Sequence, residues 1–181
     1  MASDSLRTLA HHLEVPERTL RRAAAEGLVR GRRTSARRYE TPLREEAYLR
    51  RHWPLLSELR DALRTEPNVR LAVLFGSQAT GRGTERSDID LLVVLADASA
   101  ARMAQMTGRL ERRLGRDVQP ARLQEAQRTP SLMADILEQG RVLVDRDRHW
   151  PSLKAREATW RRRAAASDVA LEHTMPDLDL P

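Results

Sequence analysis

Apolar residues recur along the chain with two different periods, and the change of period marks its organisation. Leu6, Leu9, Ala10 and Leu13 follow the i, i+3, i+4, i+7 spacing of an amphipathic helix, with Ser3, Asp4 or Ser5 available as cap. After a break at Glu14-Val15, Pro16 fits the first position of a second helix that Gly27 stops. Leu28 to Arg33, a turn at Thr34-Ser35-Ala36, and Arg37 to Glu40 then read as a two-stranded ribbon. Thr41-Pro42 opens a helical stretch that Pro54 is expected to interrupt and that resumes through Leu55, Leu56, Leu59 and Leu63. From Val69 to Phe75 the period gives way to the continuous apolar run of a buried strand, repeated from Ile89 to Leu95 across a Gly- and Ser-containing loop. A helix from Ala98 to Leu114 carries Met103, Met106 and Leu110 on its core side and ends at Gly115. A short strand over Asp117 to Ala121, a helix from Pro130 to Glu138 capped by Thr129, and a strand over Val142 to Val144 follow. Trp150-Pro151 starts a last helix, and the tail from Pro176 is expected to be disordered.

These elements divide the chain into a helix-turn-helix with a basic ribbon over 1–41, a helical connector over 42–66, a small mixed α/β unit over 67–146, and a C-terminal helix with tail over 147–181. The fold class is therefore α/β (α+β): an N-terminal winged helix-turn-helix followed by a small mixed sheet with flanking helices. Composition narrows the chemistry. Without cysteine there is no disulfide framework or thiolate site, which suits a reducing, cytoplasmic setting. The apolar runs are too short to cross a bilayer. Aromatic residues make up only 3%, too few for a base-stacking platform. The net charge is +6, and all but one of the 32 basic residues are arginine, the exception being Lys154. Residues 1–40 hold nine arginines against five acids, so most of the excess lies in the first fifth of the chain.

The chemistry concentrates in residues 75 to 94. Gly76-Ser77 leaves a strand and should open a short helix, whose free N–H groups and the Ser77 hydroxyl can hold a phosphate oxygen. Asp88 and Asp90 begin the next strand, and their spacing of two puts both carboxylates on one face, about 7 Å apart. Such a pair suits Mg²⁺ ions carrying the phosphates of ATP or another NTP, and two ions would steady an attacking hydroxyl and the pyrophosphate leaving group. Alone, the pair would read as strand-edge turn chemistry; the Gly-Ser upstream makes it a candidate site.

Gly76-Ser77, Gly81 and Ser87-Asp88-Ile89-Asp90-Leu91 together resemble the minimal nucleotidyltransferases of the DNA polymerase beta superfamily, the kind found as antitoxins beside HEPN-type toxins. The resemblance covers roughly residues 67 to 146. It implies a mixed sheet backed by helices, Mg²⁺ with an NTP, and transfer of a nucleoside monophosphate to a hydroxyl, usually a tyrosine of the cognate toxin. It also implies a third carboxylate on the following strand as metal ligand and proton acceptor. The corresponding stretch, Gly115 to Ala121, places neutral Gln119 there, with Asp117 two residues earlier as a displaced substitute. Gln78 stands where many relatives have arginine. The alternative reading is a transcriptional regulator whose nucleotidyltransferase domain is catalytically degenerate.

The N-terminal segment has its own resemblance. Leu9-Ala10, Val15-Pro16, Arg18 to Arg22 and Gly27-Leu28-Val29 resemble the head of MerR-type winged helix-turn-helix domains. This implies double-stranded DNA as partner, read by Arg18, Arg21 and Arg22 on the second helix and by Arg32, Arg33, Arg37 and Arg38 on the ribbon. Domains of this kind work in pairs on two-fold sites, which points to a homodimer. The bland alternative is a solvated basic hairpin.

Overall fold

A computed structural model describes residues 6–35 and 39–172 of the chain. The expected N-terminal caps, Ala36, Arg37, Arg38 and the tail lie outside the described residues. Among those described, no helix is long and apolar enough to cross a membrane.

The chain opens with α1 (Leu6–His12) and α2 (Glu17–Ala25). Pro16 stands just outside α2 as its cap residue, and Gly27 turns the chain with φ of 87°. Two short strands, β1 (Arg32–Arg33) and β2 (Tyr39–Glu40), pair antiparallel. Next comes α3 (Leu43–Arg64), 22 residues without a break. The expected interruption at Pro54 does not occur. A proline inside a helix forfeits one hydrogen bond and crowds the preceding turn, at a cost of about 3 kcal/mol. Pro54 lies on the exposed side of α3, while Leu49, Trp53, Leu56, Leu59 and Leu63 bury the opposite side, and that burial keeps both halves in line.

The main sheet has four strands, β3 (Val69–Phe75), β4 (Ile89–Leu95), β5 (Val118–Arg122) and β6 (Arg141–Asp145), in the order β5-β4-β3-β6. β3 pairs antiparallel with β4 and with β6, whereas β5 runs parallel to β4. The parallel pair needs a crossover, and α5 (Ala100–Leu114) provides it. Ser99 caps α5 by accepting from the Arg102 N–H, and Gly115 ends it in a left-handed conformation. Between β3 and β4 lies α4 (Gly76–Thr80). α6 (Leu123–Ala126) follows β5 directly and has no apolar period to announce it. α7 (Pro130–Gln139) begins after Thr129, whose side chain makes no cap bond. The expected single C-terminal helix is two: α8 (His149–Lys154) and α9 (Glu157–Glu172).

The alternation within the strands sorts the core into two layers. Ile89, Leu91, Val93 and Val118 face a cluster built with α1, α2, α3 and α5, so the first two helices share one core with the sheet. Leu71, Val73, Leu92 and Val142 face the other way, onto α7, Trp150 and Trp160. Asp90 and Gln119, one residue out of step with the first set, belong to this second face.

At the junction of these parts lies a buried ion pair. The Arg141 guanidinium donates to both Glu45 carboxylate oxygens at 2.6 and 2.8 Å, to the Ala79 carbonyl at 2.8 Å and to the Leu28 carbonyl at 3.1 Å. It also sits 3.5 Å above the Tyr48 ring. Glu45 accepts in addition from the Arg30 N–H at 3.0 Å. One arginine thus ties α3, α4, β6 and the segment after α2 together.

Candidate active site

The site is assembled where β3 ends and β4 begins. Antiparallel register sets Phe75 opposite Asp90, so the next residue, Gly76, turns directly over the Asp90 carboxylate. Gly76 has φ of 69°, and a Cβ there would collide with that carboxylate. Only glycine meets both conditions. The backbone at the start of α4 therefore lies against an acidic side chain, with the half-buried Ser77 beside it.

The loop from Arg82 to Asp88 is held from three directions. The Ser77 carbonyl accepts from the Arg82 and Gly83 N–H groups, both at 3.0 Å. Buried Gln78 donates to the Thr84 carbonyl at 2.7 Å, and the Tyr48 hydroxyl donates to the Gln78 carbonyl at 3.0 Å. Arg116 donates to the carbonyls of Thr84, at 3.2 Å, and Ser87. Within the loop the Ser87 hydroxyl accepts from the Thr84 N–H at 3.0 Å. These bonds fix the approach of the chain to Asp88 without using either aspartate.

Asp88 and Asp90 are both half-buried. Burial, and then the charge of Asp88, holds the Asp90 carboxyl above its ordinary range. Two like charges drawn together and partly desolvated fit a divalent cation with oxygen ligands, because such an ion would offset their mutual repulsion and favour the charged form of both. Among the described residues no three His, Asp or Glu side chains come together as a cage for a metal; Asp88 and Asp90 are the two carboxylates that could hold one here.

Gln119 stands opposite Asp90 in the β4–β5 register, and its amide donates to Asp88 Oδ2 at 2.6 Å. It lies beside the aspartates, on the strand for which the resemblance implies a third carboxylate. Asp117 precedes β5 and is exposed; its carbonyl accepts from the Ile89 N–H at 2.9 Å. Gly76, Ser77, Asp88 and Asp90 are thus brought together with Gln119, while Asp117 takes part through its backbone.

The arginines singled out in the N-terminal segment sort differently. Arg18, Arg21 and Arg22 are exposed on α2, Arg21 bonded to Glu17 and Arg22 to Glu26, both at 2.7 Å. Arg32 and Arg33 are exposed on β1, whereas Arg37 and Arg38 lie outside the described residues. Sequence reasoning missed Tyr48, Arg116 and the Glu45–Arg141 pair, because their partners are distant in the chain. It noticed Gln78 only as a departure from arginine and had no sign of the bond that holds the loop.

A family model described as Polymerase beta, Nucleotidyltransferase matches residues 57–149. No curated protein matches the chain. Among solved structures, a chain of a toxin-antitoxin crystal structure with AMP-PNP superposes with a TM-score of 0.53 at 23% identity, covering 65% of this chain and 95% of that one. A chain from the complex of tri-AMPylated Shewanella oneidensis HEPN toxin with MNT antitoxin gives 0.50 at 21% identity, covering 67% and 96%. At such identities the likeness concerns the fold. The family match, in contrast, takes in more than half of the chain and contains the sheet, the glycine turn and both aspartates, and this chain belongs to the polymerase beta nucleotidyltransferase family.

Proposed function

We propose that the chain binds an NTP with Mg²⁺ at Gly76, Ser77, Asp88 and Asp90 and transfers its nucleoside monophosphate to a hydroxyl of a partner protein, in the manner of an antitoxin acting on a toxin. The observation that carries this reading is the Gly76 backbone turned onto the Asp90 carboxylate, with Asp88 beside it. N–H groups at the start of α4 would orient the phosphates, and both aspartates would hold the metal. The metal, when bound, would neutralise charge on the transferring phosphoryl group. The likeness to chains of toxin-antitoxin complexes supports a toxin-type acceptor.

Gln119 supports a second reading. An amide that donates to Asp88 holds that carboxylate but cannot accept the proton of an attacking hydroxyl. On this reading the domain binds nucleotide and serves as the sensor of a regulator. Incubation with labelled ATP, Mg²⁺ and the product of a neighbouring gene separates the two. Label transfer by the parent chain supports the enzyme; transfer only after Gln119→Asp supports the regulator. Failure of the parent chain to bind ATP with Mg²⁺, or binding that survives Asp88→Ala with Asp90→Ala, would overturn the site itself.

The N-terminal segment is proposed to bind double-stranded DNA as a MerR-like head, through Arg18 on α2 and Arg32 and Arg33 on β1. Each arginine that neutralises a phosphate adds about one unit to the salt slope of binding. Arg32→Ala with Arg33→Ala should therefore weaken duplex binding and flatten its salt dependence by about two units. A parent chain without salt-dependent duplex binding would refute the assignment.

A further inference from the structure

A cavity of about 430 Å³ opens between the segment after α2, the start of α3, the end of α4 and the α7–β6 turn. It lies at the far end of α4 from Gly76, and its volume is within the range of about 300–1,000 Å³ usual for small-ligand sites. Arg30, Arg44 and Arg141 line it. Two carboxylates share the lining, and both are engaged. Glu45 has its two oxygens on Arg141, and Glu138 is 3.4 Å from Arg161 on α9.

Arg30 shows the imbalance. Its guanidinium donates to the backbone carbonyls of Gln139 and Ala79, neither of which carries a formal charge, while its Nε is enclosed without a hydrogen-bond partner. Burial, and then the charge of Arg141, pushes Arg30 below the ordinary arginine range. Glu45 draws it back, although that carboxylate is already held by Arg141 in a two-bond fork. Arg44, exposed at the rim, adds a further positive charge. A concave, partly desolvated place with three guanidinium groups, one carboxylate held in a fork and a second exposed at the rim keeps a positive excess and selects for a compact anion, and the planar donor fork of arginine matches phosphate oxygens.

We infer that this cavity is a second binding site, separate from Asp88 and Asp90, for a small ligand bearing a phosphate group, held by Arg30 and Arg44 against the Arg141–Glu45 pair. Occupation would act on the Ala79 carbonyl, to which both Arg30 and Arg141 donate, and so on the helix that begins at Gly76. The inference stands on the cavity itself and does not depend on nucleotidyl transfer.

The test is calorimetric titration of the full chain with inorganic phosphate, pyrophosphate and AMP, in chelator so that no metal-dependent binding contributes. Saturable binding of at least one probe is expected. Arg44→Glu, at an exposed position, should weaken it about tenfold or more, and Arg30→Gln should weaken it as well. Asp88→Ala with Asp90→Ala should leave it within about twofold. Preference for phosphate or pyrophosphate identifies a free anion as the ligand, and preference for AMP identifies the phosphate of a nucleotide. No saturable binding of any probe up to about 10 mM would overturn the inference. So would binding indifferent to Arg44→Glu, or binding abolished by the aspartate variant.

Discussion

Removing Glu45 should destabilise the whole chain and loosen the turn at Gly76 with it. Arg141 is 1% exposed and Glu45 4%, so Glu45→Ala leaves a guanidinium charge enclosed with no carboxylate, only the Ala79 and Leu28 carbonyls and the Tyr48 ring, and strips the Arg30 N–H of its acceptor. Breaking a buried pair from one side costs about 3–5 kcal/mol. That is a large part of the 5–15 kcal/mol (roughly) that hold an ordinary domain folded. At about 2–4 °C per kcal/mol for a chain of this size, the melting temperature should fall by about 6–20 °C. The pair itself need not be the source of stability. In Glu45→Leu with Arg141→Met the enclosed pair is gone from both sides, and the remaining loss is that of the Ala79 and Leu28 carbonyls and the Arg30 N–H, about 1–3 kcal/mol for each one left unmatched. The double variant should therefore melt above the sum of its single-variant losses, with a coupling of about 2 kcal/mol or more. Thermal and urea unfolding followed by circular dichroism give both quantities, and hydrogen exchange at residues 76–81 reports the turn. A Glu45→Ala melting temperature within about 1 °C of the parent would refute the reasoning, since no enclosed unpaired charge is that cheap.

Three further outcomes follow from the site. Gly76→Ala forces a side chain into φ of 69° and against Asp90, so it should cost about 1–2 kcal/mol from conformation alone and weaken Mg²⁺-nucleotide binding in a fluorescence titration. Asp90 is raised above its ordinary value of 3.8 in the folded chain, so its contribution to stability is full below that pH and is lost as pH rises through the folded value. In chelator, Asp90→Asn should therefore melt higher than the parent at neutral pH, with the gap closing in acid; a gap constant with pH would contradict the assigned cause. Gln78→Ala removes one of the two bonds to the Thr84 carbonyl, about 0.5–1.5 kcal/mol since Arg116 still donates to it, and hydrogen exchange should rise across residues 82–87.

Much of this was legible in one dimension. The two central strands announce themselves by continuous apolar runs, and Val69–Phe75 and Ile89–Leu95 have the expected bounds because few other structures suit such runs. The Gly-Ser turn and Asp-x-Asp are also local, since both depend on the geometry of one strand end. Gln119 is the informative intermediate. Its position opposite Asp90 follows from counting along the next strand, yet its bond to Asp88 depends on parallel register and on rotamer, which spacing does not encode. Pro54 misled for the converse reason: a local rule gave way to the burial of Trp53, Leu56 and Leu59. Glu45, Arg30 and Arg141 lie far apart in a chain crowded with arginines, and nothing in their neighbourhood distinguishes those that fold inward from those that face water.

Both borders of the main sheet are interrupted. β6 is an edge strand, yet its Val142 N–H is already given to the Gly27 carbonyl at 3.3 Å, so the N-terminal segment covers part of that border. β5, the other edge, carries Pro120, which has no N–H to offer an incoming strand. A partner's strand therefore finds no clean row of donors and acceptors on which to extend the sheet. Both devices disfavour strand addition, and they also make the sheet a poorer template for stacking copies strand on strand.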